Sequence, residues 1–153
     1  MEMRISFVSL IPDAGHVIPL LRIASTLACK ETECRFILPE EGRNLPATHG
    51  FEFDLLPPVL PADAESLLKK ISHTSPLYRK LFFNRYFETR YFQPIQYQGL
   101  SSLPLLKDKI QQQEPDLIIA DEHLLGAAVH HLGGQLGVPV LLHRASGSNQ
   151  QCQ

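Results

Sequence analysis

Tryptophan is absent from this chain of 153 residues, methionine occurs twice and cysteine three times. Cys29, Cys34 and Cys152 leave one thiol over in any pairing, and no CxxC or Cys/His ligand ladder is present. A disulfide framework and a zinc module are therefore poor descriptions, and a reducing, cytoplasmic setting is the expectation. Charge of one sign is missing too. Fourteen Lys plus Arg against sixteen Asp plus Glu give a net charge of -2, which supplies no basic footprint for nucleic acid. Long apolar runs are also lacking. Ile5 to Ile11 is broken by Ser6 and Ser9 and closed by Pro12-Asp13, too short and polar for a signal peptide core. No stretch approaches the roughly 20 apolar residues of a membrane span. At 17.2 kDa the chain is long enough for one ordinary domain and too short for two α/β domains.

What is present alternates in period. Arg4 to Leu10 reads as a buried strand ending in a Pro-Asp-Ala-Gly turn. Val17, Leu20, Leu21, Ala24, Leu27 and Ala28 then form one helical stripe, with Pro19 expected in the first turn, where its missing N–H costs nothing. Further strands are predicted at Glu33–Pro39, Gly50–Leu56, Asp116–Ala120 and Val138–Leu142, with a helix over about Leu124–Gln135 capped by Gly137. Between Ala62 and Gln113 the pattern is mostly helical, with breaks expected at Ser75-Pro76, Gln93-Pro94 and Leu103-Pro104. This order predicts an α/β, Rossmann-like doubly wound parallel sheet over 1–145, with a helical insertion over about 62–114 and a polar tail at 146–153.

Ligands of such sheets gather at the carboxyl ends of the strands. His16 follows the first strand and Asp121 follows the fourth, so both are expected over one sheet edge. A carboxylate behind an imidazole fixes its tautomer and stabilises the imidazolium formed when the ring takes a proton from a hydroxyl. The plainer alternatives are a helix-capping Asp and a turn His.

Tyr78, Phe82 and Tyr86 share one helical face, and Phe83, Phe87 and Tyr91 an adjoining one, interleaved with Arg79, Lys80, Arg85 and Arg90. This stretch reads as the wall of an apolar cleft, as a basic amphipathic helix on a membrane surface, or simply as core. His123, His130, His131 and His143 lack the i, i+4 spacing of a metal-binding helix, so no metal site is expected. Ser146-Gly147-Ser148 either lines the cleft or belongs to the tail. His131-Leu132-Gly133-Gly134 falls inside a helix that leads into a strand, the wrong order for a phosphate loop.

The residues Gly15-His16-Val17-Ile18-Pro19-Leu20-Leu21 resemble the GHxxPLL opening of the GT-B-fold, UDP-glycosyltransferase-like enzymes, which include the macrolide and natural-product glycosyltransferases. His49-Gly50-Phe51-Glu52-Phe53 is similar to that family's third strand, and Pro115-Asp116-Leu117-Ile118-Ile119-Ala120-Asp121 to its PDLVIxD motif. Gly126 through Leu136-Gly137-Val138-Pro139-Val140 resembles its next helix and strand. The resemblance implies the N-terminal, acceptor-binding half of an inverting hexosyltransferase. His16 would be the base, Asp121 its partner, and Gly15, Phe82, Tyr86 and Ser146 would contact a small apolar acceptor bearing a hydroxyl. The donor, a UDP- or dTDP-sugar, belongs to a C-terminal domain with a glycine-rich diphosphate loop, and no such loop stands in these residues. The expectation is therefore a fragment, a truncated product or one subunit of a split enzyme, with no cofactor of its own and inactive without a separate donor-domain chain. The alternative is a non-catalytic Rossmann-like subunit that anchors a partner or a membrane through the aromatic-basic helix.

Overall fold

The computed structural model describes residues 2–80 and 84–144. Five strands, β1 (Met3–Val8), β2 (Thr32–Pro39), β3 (Glu52–Leu56), β4 (Leu117–Asp121) and β5 (Val140–His143), form one sheet in the order β3-β2-β1-β4-β5. All four pairings are parallel. The order reverses between β1 and β4, which are neighbours although more than a hundred residues separate them, and this is the switch point at which such sheets open a crevice.

The helices are α1 (Ala14–Leu27), α2 (Asn44–Thr48), α3 (Ala64–His73), α4 (Pro76–Tyr78), α5 (Asn84–Phe87), α6 (Gln93–Ser101), α7 (Leu103–Gln113) and α8 (Gly126–Leu136). Alternation along β1 and β4 divides the core into two layers. Ile5, Phe7 and Ile119 pack with Leu20, Leu21 and Phe36 on the α1 side. Val8, Ile118 and Ala120 pack with Ile110, Val129 and Leu132 on the side of α7 and α8. Burial on both faces explains why these strands read as continuous apolar runs. A third cluster of Ile11, Val59, Leu67, Tyr91 and Ile95 lies beneath the helical segment.

Three details differ from the sequence expectation. The helix expected from Val17 begins at Ala14, because the Asp13 side chain accepts the His16 N–H as an N-cap. Pro19 consequently lies in the second turn rather than the first, and Gly15 loses its usual amide partner there. The break expected at Gln93-Pro94 is instead a π-helical turn at Glu88–Phe92 running directly into α6, so the missing Pro94 N–H is absorbed as a bulge. The other breaks fall at Thr74-Ser75 and Ser102, each just before a helix with proline in its first turn. Gly137 takes the left-handed conformation (φ 68°) that closes α8.

Of the two adjacent glycines of α8, Gly133 has a packing role, whereas a Cβ at Gly134 would meet nothing within 4 Å. A Cβ at Gly133 would collide with the Val140 side chain and sit 3.0 Å from the Val138 carbonyl, so this glycine sets the approach of α8 to β5.

Candidate functional site

His16 sits in the first turn of α1 and Asp121 is the last residue of β4. Register fixes the meeting: Val8 at the end of β1 lies opposite Ala120, so the next residue of β4 emerges beside the loop that follows β1. His16 Nδ1–H donates to Asp121 Oδ2 at 2.8 Å. Only 3% of the Asp121 side chain is exposed, against 18% for His16, so the carboxylate is shielded and the ring borders solvent. With Nδ1–H held by Asp121, the lone pair on Nε2 is left for an incoming proton.

The hydrogen bond that His16 donates to Asp121 raises the pKa of His16 above the ordinary histidine value; partial burial pulls it down, and the charges of Asp13 and Asp121 add to the rise. The hydrogen bond outweighs burial, and the imidazolium is the stabilised form. This is what a base needs once it has taken a proton.

Around the pair, Glu122, His123, Leu124 and Arg144 complete a pocket of about 200 Å3. Arg144 Nε and Nη2 donate to the two Glu122 oxygens at 2.8 and 3.3 Å, so these charges answer each other. The His123 ring lies 5.1 Å from that of His16 and 5.6 Å from that of Phe92, joining the pair to a second hollow of about 280 Å3 lined by Asn84, Phe87, Glu88, Phe92, His123 and Leu124. Leu124 borders both hollows and holds a left-handed backbone (φ 59°), an uncommon conformation for a leucine, at the turn out of β4.

The predicted site residues thus divide. His16 and Asp121 come together. Gly15 leaves room for the Asp13 carboxylate, whose Oδ1 a Cβ would approach to 3.2 Å. Tyr86 does not line the hollow beside His123; it is 43% exposed, with the Arg90 guanidinium 5.9 Å from its ring, while Phe87 and Phe92 form the wall. Tyr91 is core: burial pushes its phenol up to about 12, out of acid–base use near neutrality. Phe82, Phe83 and Ser146 lie outside the described residues. Sequence reasoning overlooked Asp13, Leu124 and Arg144, and weighed His123 only as a metal ligand. The strand-end rule that selects Asp121 also selects His123, two residues later.

No protein-family model matches the chain, and no curated protein sequence does. Solved structures do. Over 94% of its length the chain is similar to spinosyn rhamnosyltransferase SpnG complexed with thymidine diphosphate, with a TM-score of 0.64 and 20% identity, covering 35% of that chain. It is similar to the Streptomyces sp. SF2575 glycosyltransferase SsfS6, also complexed with thymidine diphosphate (TM-score 0.60, 17% identity, 94% of this chain and 38% of that one). A third match is Phytolacca americana UGT2 complexed with UDP-2-fluoro-glucose and pterostilbene (TM-score 0.58, 21% identity, 94% and 31%). The fold is that of one domain of the GT-B glycosyltransferases. The chain spans about a third of the length of these structures.

Proposed function

We propose that the chain is the acceptor-binding half of an inverting glycosyltransferase. It would act with a donor-binding domain to transfer a hexose from a nucleotide sugar, UDP- or dTDP-linked, to a hydroxyl of a small apolar acceptor. The observation that carries this reading is the 2.8 Å His16–Asp121 contact at the β1/β4 switch point. In the reaction, His16 Nε2 takes the acceptor hydroxyl proton as the oxygen attacks the anomeric carbon, and the bond to the diphosphate breaks on the opposite face. Asp121 keeps the ring oriented and holds the imidazolium. The hollow at Phe87, Phe92 and Leu124 receives the apolar body of the acceptor.

In this reading residues 1–145 form the acceptor domain, with the helices of about 62–114 as its variable wall and 146–153 as a tail. Cys29 and Cys34 are free thiols, in keeping with a cytoplasmic setting, and no helix among the described residues is long and apolar enough to cross a membrane. Turnover needs donor and acceptor held together, and the chain supplies the acceptor side. The test is to incubate the purified chain with UDP- and dTDP-hexoses and a panel of phenolic, macrolide and sterol acceptors, with and without a donor-domain protein. Transfer is expected only in the mixture and is expected to vanish with His16→Ala; undiminished transfer by that variant contradicts the reading.

One observation favours the second reading, a non-catalytic anchoring subunit. Leu77 and Tyr78 are 68% and 54% exposed beside Arg79 and Lys80. Co-sedimentation with acidic liposomes, lost when Arg79, Lys80, Arg85 and Arg90 are replaced together, supports it; no retention by lipid or partner counts against it.

A further inference from the structure

Asp13 has a second use besides capping α1. Its Oδ1 accepts the His16 N–H at 3.2 Å, while Oδ2 lies 4.0 Å from His16 Nε2, beyond hydrogen-bond reach. Nδ1 of the same ring is held by Asp121, so in the neutral form Nε2 is an acceptor. Two acceptors therefore stand side by side at the reacting edge, and no donor among the described residues bonds Oδ2. Of the carboxylates beside the pair, Asp121 is held by the ring and Glu122 is bound through both oxygens to Arg144, whereas Asp13 Oδ2 is open to a ligand.

One hydroxyl has one proton and serves only one of these acceptors. An ammonium has protons for both, but while charged it has no lone pair with which to attack. Two hydroxyls on neighbouring carbons meet both demands: the first donates to Nε2 and becomes the nucleophile, and the second donates to Asp13 Oδ2 and keeps its proton. We propose that Asp13 and His16 together recognise a vicinal diol, and that the acceptor is a catechol or an aliphatic 1,2-diol. The inference rests on the acceptor lying at His16. The balance of the reaction is unchanged: the first O–H bond breaks, its proton goes to Nε2, and Asp13 faces the imidazolium that results.

Binding separates this from the transfer reaction itself. The purified chain is titrated by NMR with catechol, guaiacol (one hydroxyl methylated) and phenol, following the His16 ring signals. Catechol is expected to bind about tenfold more tightly than either, the worth of one additional hydrogen bond to a charged acceptor. Asp13→Asn is the informative variant. Its carbonyl oxygen retains the cap, since asparagine caps as well as aspartate, while its amide N–H2 replaces Oδ2, a donor in place of an acceptor. The catechol advantage over phenol and guaiacol is expected to fall to within about twofold, with the spectrum of α1 unchanged. Equal affinities in the unmodified chain, an advantage that survives Asp13→Asn, or no saturable catechol binding each overturn the proposal. None of these outcomes depends on sugar transfer, so the diol reading and the glycosyltransferase reading fail separately.

Discussion

The carboxyl edge of β1 and β4 and the helical stretch from α3 to α6 are adjacent, yet they are built on opposite terms. At the edge, strands paired on both sides fix the backbone, and His16 and Asp121 meet at 2.8 Å with the carboxylate buried. In the helical stretch the chain passes through short helices and a π-turn, and Leu77, Tyr78, Tyr86 and Tyr97 remain exposed while Tyr91 and Ile95 are buried. In the proposed function, chemistry that needs sub-ångström placement falls on the rigid edge, and the acceptor surface on segments that repack with little cost to the sheet. The two regions should respond differently to substitution.

The largest effect is expected at the edge. In the complemented enzyme, His16→Ala should lower kcat by about 10²–10⁴, the usual worth of a general base, while leaving KM for the acceptor within a few fold. Phe36→Ala, in the core behind that edge, should cost about 3–5 kcal/mol in urea unfolding, because a fully buried ring stacked 5.0 Å from Phe7 leaves a cavity. Gly133→Ala should cost about 1–3 kcal/mol, as α8 must move away from Val140 to admit a methyl group. Tyr86→Ala, on the open face of the helical stretch, should change stability by less than about 0.5 kcal/mol. A Tyr86 effect as large as that at Phe36 would erase the contrast.

The sheet and the pair were legible in the sequence because they depend on short-range signals. Apolar runs of strand length mark β1, β2 and β4, and strand ends mark His16 and Asp121. The remainder depends on backbone detail. Asp13 looked like a turn residue because the first apolar contact of α1 is Val17, three residues after the helix begins. The left-handed Leu124 has no signature, since leucine does not announce a positive φ. Tyr86 shares a helical face with Tyr78 in the sequence, while the hollow beside His123 is lined by Phe87, one residue later, and Phe92, beyond a π-turn that alters the phase.

The central claim, that Asp121 holds His16 as a base, is tested most directly by titrating the His16 ring by NMR in the unmodified chain and in Asp121→Asn. Because the pKa is raised in the folded state, the contact contributes stability that is fully present below the unfolded-state pKa and lost as pH rises through the folded value. His16 must also lose its proton to act, so the acid limb of kcat/KM should stand at higher pH than an ordinary histidine would place it. The account predicts a midpoint above the ordinary histidine value in the unmodified chain and a downward shift in Asp121→Asn. Identical midpoints in the two proteins would contradict it.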